Sequence, residues 1–147
     1  MVQHYFVADP EQVVDTMIAL TRLSNQHRAI VAGSNSMELY LSLRRRGFIR
    51  LATPATCPLA RRQHTIALIT GGTSLSAIEA ALAEVSPFLG TSAAIAILVH
   101  SHEAELCLKI RKTLEQMGFR IEAGVRCHDG LVLSACRHGF AQLEQAA

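Results

Sequence analysis

Short apolar runs and stretches of helical periodicity take turns along this chain. Ala29–Ala32, Phe48–Ala52, Thr65–Thr70 and Ala94–Val99 are apolar runs of four to six residues, the length of buried strands. Between them, apolar residues recur at helical spacing: Val13, Met17 and Leu20, then Leu75, Ile78, Leu82 and Val85, then Leu106, Ile110, Leu114 and Met117. Turn chemistry marks the ends. Asp9-Pro10-Glu11 reads as an N-cap, a first-turn proline and an acid suited to the helix dipole, opening a helix to about Leu23. Asn35 with Glu38 three residues on predicts a capping box, and Gly47 a left-handed stop for the same helix. Pro87 and Gly90 punctuate a turn before the Ala94 run, Ser101 is placed to cap the next helix, and Gly118 ends it. Phe119–Cys127 and Leu131–Arg137, joined by His128-Asp129-Gly130, read as a hairpin.

A leading helix, strand–helix repeats and a closing hairpin predict one α/β domain over residues 1–147. Right-handed crossovers would give a mostly parallel sheet with helices on both faces and an antiparallel C-terminal hairpin. Residues 1–27 form the N-terminal helix and its connection, and residues 138–147 read as a frayed tail. Half the residues are hydrophobic and 18% are charged, which excludes disorder. No apolar run approaches the roughly 20 residues of a membrane span, and the N-terminus lacks a signal-peptide pattern, so a cytoplasmic location is expected. A formal net charge of +2 gives no ground for nucleic-acid binding. Cys57, Cys107, Cys127 and Cys136 have no CxxC spacing and read as buried thiols.

Candidate chemistry gathers at the carboxyl ends of the strands, where open parallel sheets bind ligands. Gly33-Ser34-Asn35-Ser36 offers backbone N–H groups and hydroxyls at a helix N-terminus, suited to a small anion. Gly71, Gly72 and Thr73 form a second such turn, and His100 closes the most apolar strand on the same edge. Arg61, Arg62 and His64 could meet a phosphate or carboxylate, while Arg44-Arg45-Arg46 offsets a helix dipole. Neither His100-Ser101-His102 nor the hairpin pairs Cys127-His128 and Cys136-His138 has metal-ligand spacing, so no metal is expected. No G-x-S-x-G elbow or P-loop is present, and no catalytic residue is assigned.

The order of elements resembles the S-adenosylmethionine-dependent methyltransferases, whose Rossmann-like sheet ends in a reversed hairpin. Ile30–Ser34 falls where that family has its glycine-rich cofactor turn, and Thr65–Gly72 where its fourth strand carries acceptor-site residues. Ser86–Gly90 falls at its leucine–proline–glycine turn, and Leu114–Ile121 at its passage into the sixth strand. The resemblance implies S-adenosylmethionine as cofactor. Three departures oppose it. Ala52 and Thr53 stand where the family ends its second strand with a ribose-binding acid. The dozen residues before Thr65 leave no room for a further helix and strand, and Thr70-Gly71-Gly72 lacks the Asp/Asn-Pro-Pro-aromatic pattern. The expectation is therefore a non-catalytic, methyltransferase-like binding or regulatory module without cofactor, self-associating as a homodimer. The alternative is a minimal S-adenosylmethionine-dependent methyltransferase.

Overall fold

A computed structural model describes residues 10–56, 62–72, 74–101, 103–127 and 130–137. The described residues form helix α1 (Pro10–Thr21), strand β1 (Ala29–Gly33), helix α2 (Ser36–Arg45), strand β2 (Leu51–Ala52) and strand β3 (His64–Thr70). Helix α3 (Leu75–Val85), strand β4 (Leu89–Val99), helix α4 (Ala104–Gln116) and the hairpin strands β5 (Phe119–Arg126) and β6 (Leu131–Arg137) follow. The sheet has six strands in the order β2-β1-β3-β4-β6-β5. Neighbours from β2 to β4 pair in parallel, and β6 runs antiparallel to both β4 and β5. This is the α/β sheet with a reversed closing hairpin that the sequence predicts.

Strand side chains alternate between faces, so each central strand feeds two cores. Ile30 and Ala32 of β1 and Ile95, Ile97 and Val99 of β4 pack with Ile78 and Leu82 of α3 and Ile110 and Leu114 of α4. On the opposite face, Ala29 and Val31, with Ala96 and Leu98, pack with Val14 and Met17 of α1 and Leu39 and Leu43 of α2. The apolar periodicity of the helices thus reports which face of the sheet each one covers.

Four boundaries differ from the sequence expectation. The capping box does not form: Asn35 is left-handed, at φ 57°, and its side chain makes no cap hydrogen bond. At the start of α4 it is Glu103 that takes the cap position, and Ser101 Oγ accepts from the Glu103 N–H at 3.1 Å. Strand β2 is two residues long, because Phe48 N–H bonds back to the Leu43 carbonyl and Ile49 N–H donates to Asn25 Oδ1. Strand β4 starts at Leu89, five residues early. His64 pairs with Leu89 and Ile66 with Ala94, so the Gly90–Ala93 stretch is an irregularity within the ladder rather than a turn before it. Asp9 and residues 138–147 lie outside the described residues.

Two glycines with similar dihedrals separate backbone freedom from space. Gly33 has φ +103°, and a Cβ there would lie 2.1 Å from the Thr70 carbonyl oxygen. Gly47 has φ +96° with nothing within 4 Å. Gly33→Ala is expected to cost about 3 kcal/mol or more, and Gly47→Ala about 1 kcal/mol. Urea-unfolding midpoints of the two variants measure the difference, and equal shifts would refute the close approach.

Candidate functional site

The exits of the central strands are stitched to one another. At the end of β1, the Ser34 N–H donates to the Thr70 carbonyl at 2.8 Å, and the Thr70 hydroxyl returns a hydrogen bond to the Ser34 carbonyl. At the end of β3, the Gly71 N–H donates to the Leu98 carbonyl at 2.8 Å. The His100 N–H then donates to the Gly72 carbonyl, also at 2.8 Å. Gly71 is closely packed as well: a Cβ would lie 2.3 Å from the Ile78 side chain. The Ser34 and Gly71 N–H groups, read from sequence as open to an anion, are therefore committed to the fold.

A cavity of about 490 Å³ opens over these exits, within the roughly 300–1,000 Å³ usual for small-molecule sites. Among the described residues, its floor is Ser34, Asn35, Thr70, Leu98 and His100. Cys127 and Gly130 close one side, and Gly130 lies tight against the end of β4: a Cβ on it would lie 2.0 Å from the Val99 carbonyl oxygen. Helices α1 and α2 form the remaining walls through Val13, Val14, Met17, Leu39, Leu41 and Ser42, with Glu11, Glu38 and Arg45 as the charged groups.

Of the site residues expected from sequence, Ser34, Asn35 and His100 line this cavity. Gly33, Ser36, Gly71 and Gly72 are not part of its lining; they belong to the turns that bound it. Thr73 lies outside the described residues. Gly33 at φ +103° and Asn35 at φ 57° give the turn two left-handed residues, although the sequence offers a single glycine. Asparagine is one of the few other residues that adopts this conformation readily. That substitution was the signal available in the sequence.

The contribution of α1 was not legible. Arg46, at the end of α2, bonds Glu11 at 2.6 Å and also pairs with Asp15, while the buried Ser42 hydroxyl donates to Glu11 at 3.2 Å. The Arg46 hydrogen bond holds the Glu11 carboxyl below its ordinary range. This clasp brings the apolar face of α1 across the cavity.

Other candidates fall elsewhere. His64 is buried at 2% exposure, edge-on to the Phe88 ring at 6.3 Å, and burial pushes its pKa down, which keeps it neutral rather than anion-seeking. Arg61 and Cys57 lie outside the described residues, as do His102, His128 and His138. Among the described residues, no three His, Cys, Asp or Glu side chains converge as a metal site would require.

No family model matches the chain, and no curated protein matches its sequence. Solved structures do match its fold. A precorrin-6y C5,15-methyltransferase from Geobacter metallireducens superposes with a TM-score of 0.60 at 14% identity, over 91% of each chain. An S-adenosylmethionine-dependent O-methyltransferase from Thermotoga maritima gives 0.61 at 12% identity, over 90% of this chain and 66% of its own. A 1,6-didemethyltoxoflavin N1-methyltransferase from Burkholderia thailandensis, solved with S-adenosylhomocysteine, gives 0.57 at 14% identity, over 87% and 77%. The chain has the Rossmann-like fold of the S-adenosylmethionine-dependent methyltransferases. Among the described residues, no helix is long and apolar enough to cross a membrane.

The hairpin thiol Cys136 meets Glu122, with Sγ and Oε1 3.1 Å apart. Burial, and then this carboxylate, push its pKa up to about 11. A thiol is unreactive until it ionises. At pH 8, Glu122→Gln is therefore expected to speed iodoacetamide alkylation of Cys136 severalfold, read by peptide mass spectrometry. An unchanged rate would remove Glu122 as a cause.

Proposed function

We propose that this chain is an S-adenosylmethionine-dependent methyltransferase of reduced form, the alternative rather than the first of the two sequence readings. The observation that supports it is the position of the cavity, over the exits of β1, β3 and β4 in a fold shared with methyltransferases along most of the chain.

The residues present fit one end of such a cofactor by their chemistry. Glu38, in the first turn of α2, supplies a carboxylate for an ammonium group. The helix N-terminus beside it favours a carboxylate, and the Asn35 amide can both donate and accept. S-adenosylmethionine, when bound, supplies an electrophilic methyl group on sulfur. His100, on the cavity floor, is the imidazole we assign to taking a proton from the second substrate. The ribose end has less to hold it. Ala52 offers no polar group, and the Thr53 hydroxyl pairs with that of Thr56 at 2.7 Å. Affinity would then come from the amino-acid end and the apolar walls.

That same β2 exit favours a second reading, a non-catalytic binding module. Its self-association would use the apolar groups left outside the cavity: Met37 on α2 is 57% exposed, and Ile49 beside the edge strand is 66% exposed. Light scattering tests this part, and a strict monomer at micromolar concentration would remove it.

Calorimetry with S-adenosylhomocysteine separates the two functions. The methyltransferase reading expects micromolar binding, weakened about tenfold by Glu38→Gln through loss of a charge-assisted contact, with the melting temperature unchanged. No heat at millimolar ligand would leave the module reading in its place.

A further inference from the structure

The cavity extends beyond the strand exits. It continues along the groove between α1 and α2, past α2 residues from Glu38 to Arg45. Those eight residues span seven steps, about 10 Å at 1.5 Å per residue. The walls of this arm are apolar: Val13, Val14 and Met17 on one side, Leu39 and Leu41 on the other.

Its charges have different fates. Glu11 is held by Arg46 and Ser42. Glu38 stands at the strand-exit end, two helical turns from Arg45. The run Arg44-Arg45-Arg46, read from sequence as dipole compensation, divides its work three ways. Arg44 donates to the Ile49 carbonyl at 3.5 Å, and Arg46 grips Glu11 and Asp15. Arg45 lines the cavity and has no ion pair among the described residues, while its charge helps to keep Glu11 ionised. His100 and Cys127 are the other titratable groups on the lining, and both belong to the exit end.

We propose that this arm takes the second substrate, and that this substrate is an elongated, mainly apolar molecule ending in a carboxylate that pairs with Arg45. The role of second substrate rests on the methyltransferase reading; the ligand class rests on the groove alone. A neutral apolar ligand would draw nothing from the guanidinium. A cationic one would bring like charge to it. A carboxylate gains a fork-shaped pair of hydrogen bonds while its apolar body covers Val13 and the half-exposed Leu41.

The test uses 4-phenylbutyrate and its neutral analogue 4-phenylbutyramide, titrated into the full chain by calorimetry and by amide NMR. The acid is expected to bind at least tenfold more tightly than the amide, with shifts concentrated at Val14, Leu39, Leu41 and Arg45. Arg45→Gln should erase the difference while leaving S-adenosylhomocysteine binding unchanged. Leu41→Trp, at a partly exposed position that tolerates bulk, should weaken both probes. Equal binding of acid and amide, an unaltered difference in Arg45→Gln, shifts away from the α1–α2 groove, or no binding at millimolar probe would each overturn the proposal. If S-adenosylhomocysteine fails to bind while the acid keeps its preference, the methyltransferase reading falls and the groove assignment stands.

Discussion

At the carboxyl edge of the sheet the backbone of β1 touches the backbone of β3, and the site is built around that approach. Gly33 has no side chain to hold the strands apart, so the Ser34 N–H reaches the Thr70 carbonyl and the Thr70 hydroxyl reaches back. The same stitching passes to β4 through Gly71 and Gly72. These polar backbone groups leave the sheet where ladder partners run out, and each one left unpaired and buried would cost about 1–3 kcal/mol. Joined to one another, they form a fixed floor on which Asn35 and His100 stand.

The walls depend on a different interaction. Helix α1 precedes the strand–helix repeats, and the sheet alone does not dictate how it leans. Its buried Val14 and Met17 supply the attraction, while the Arg46 bridge to Glu11 and Asp15 sets the approach to α2. Because the bridge is partly exposed, its contribution is small in energy and large in geometry. What it leaves between the helices is an apolar groove continuous with the strand exits.

Much of this architecture could be read from the sequence because it rests on local patterns. Apolar runs identify β1, β3 and β4, and three-and-four spacing identifies α3 and α4. Boundaries were missed where a tertiary contact overrode the local signal. Asn35 reads as a cap by residue type, yet the tight β1 exit draws it into a left-handed turn. Gly90 reads as a turn, yet pairing of His64 with Leu89 carries the strand past it. The floor of the site was legible for the same local reason, since Ser34, Asn35 and His100 sit at strand ends. The walls were not. Glu11 and Arg46 are 35 positions apart, and nothing near either one announces the other.

Taken together, the joined strand exits and the clasped helix define the cavity in which the proposed function places an adenosyl cofactor, held mainly by its amino-acid end. The most direct measurement is a crystal structure of the chain grown with S-adenosylhomocysteine. The account predicts the ligand over the exits of β1 and β3, its amino-acid end against Asn35 and Glu38 and within reach of His100. Ligand bound elsewhere, with those three side chains untouched, would contradict it.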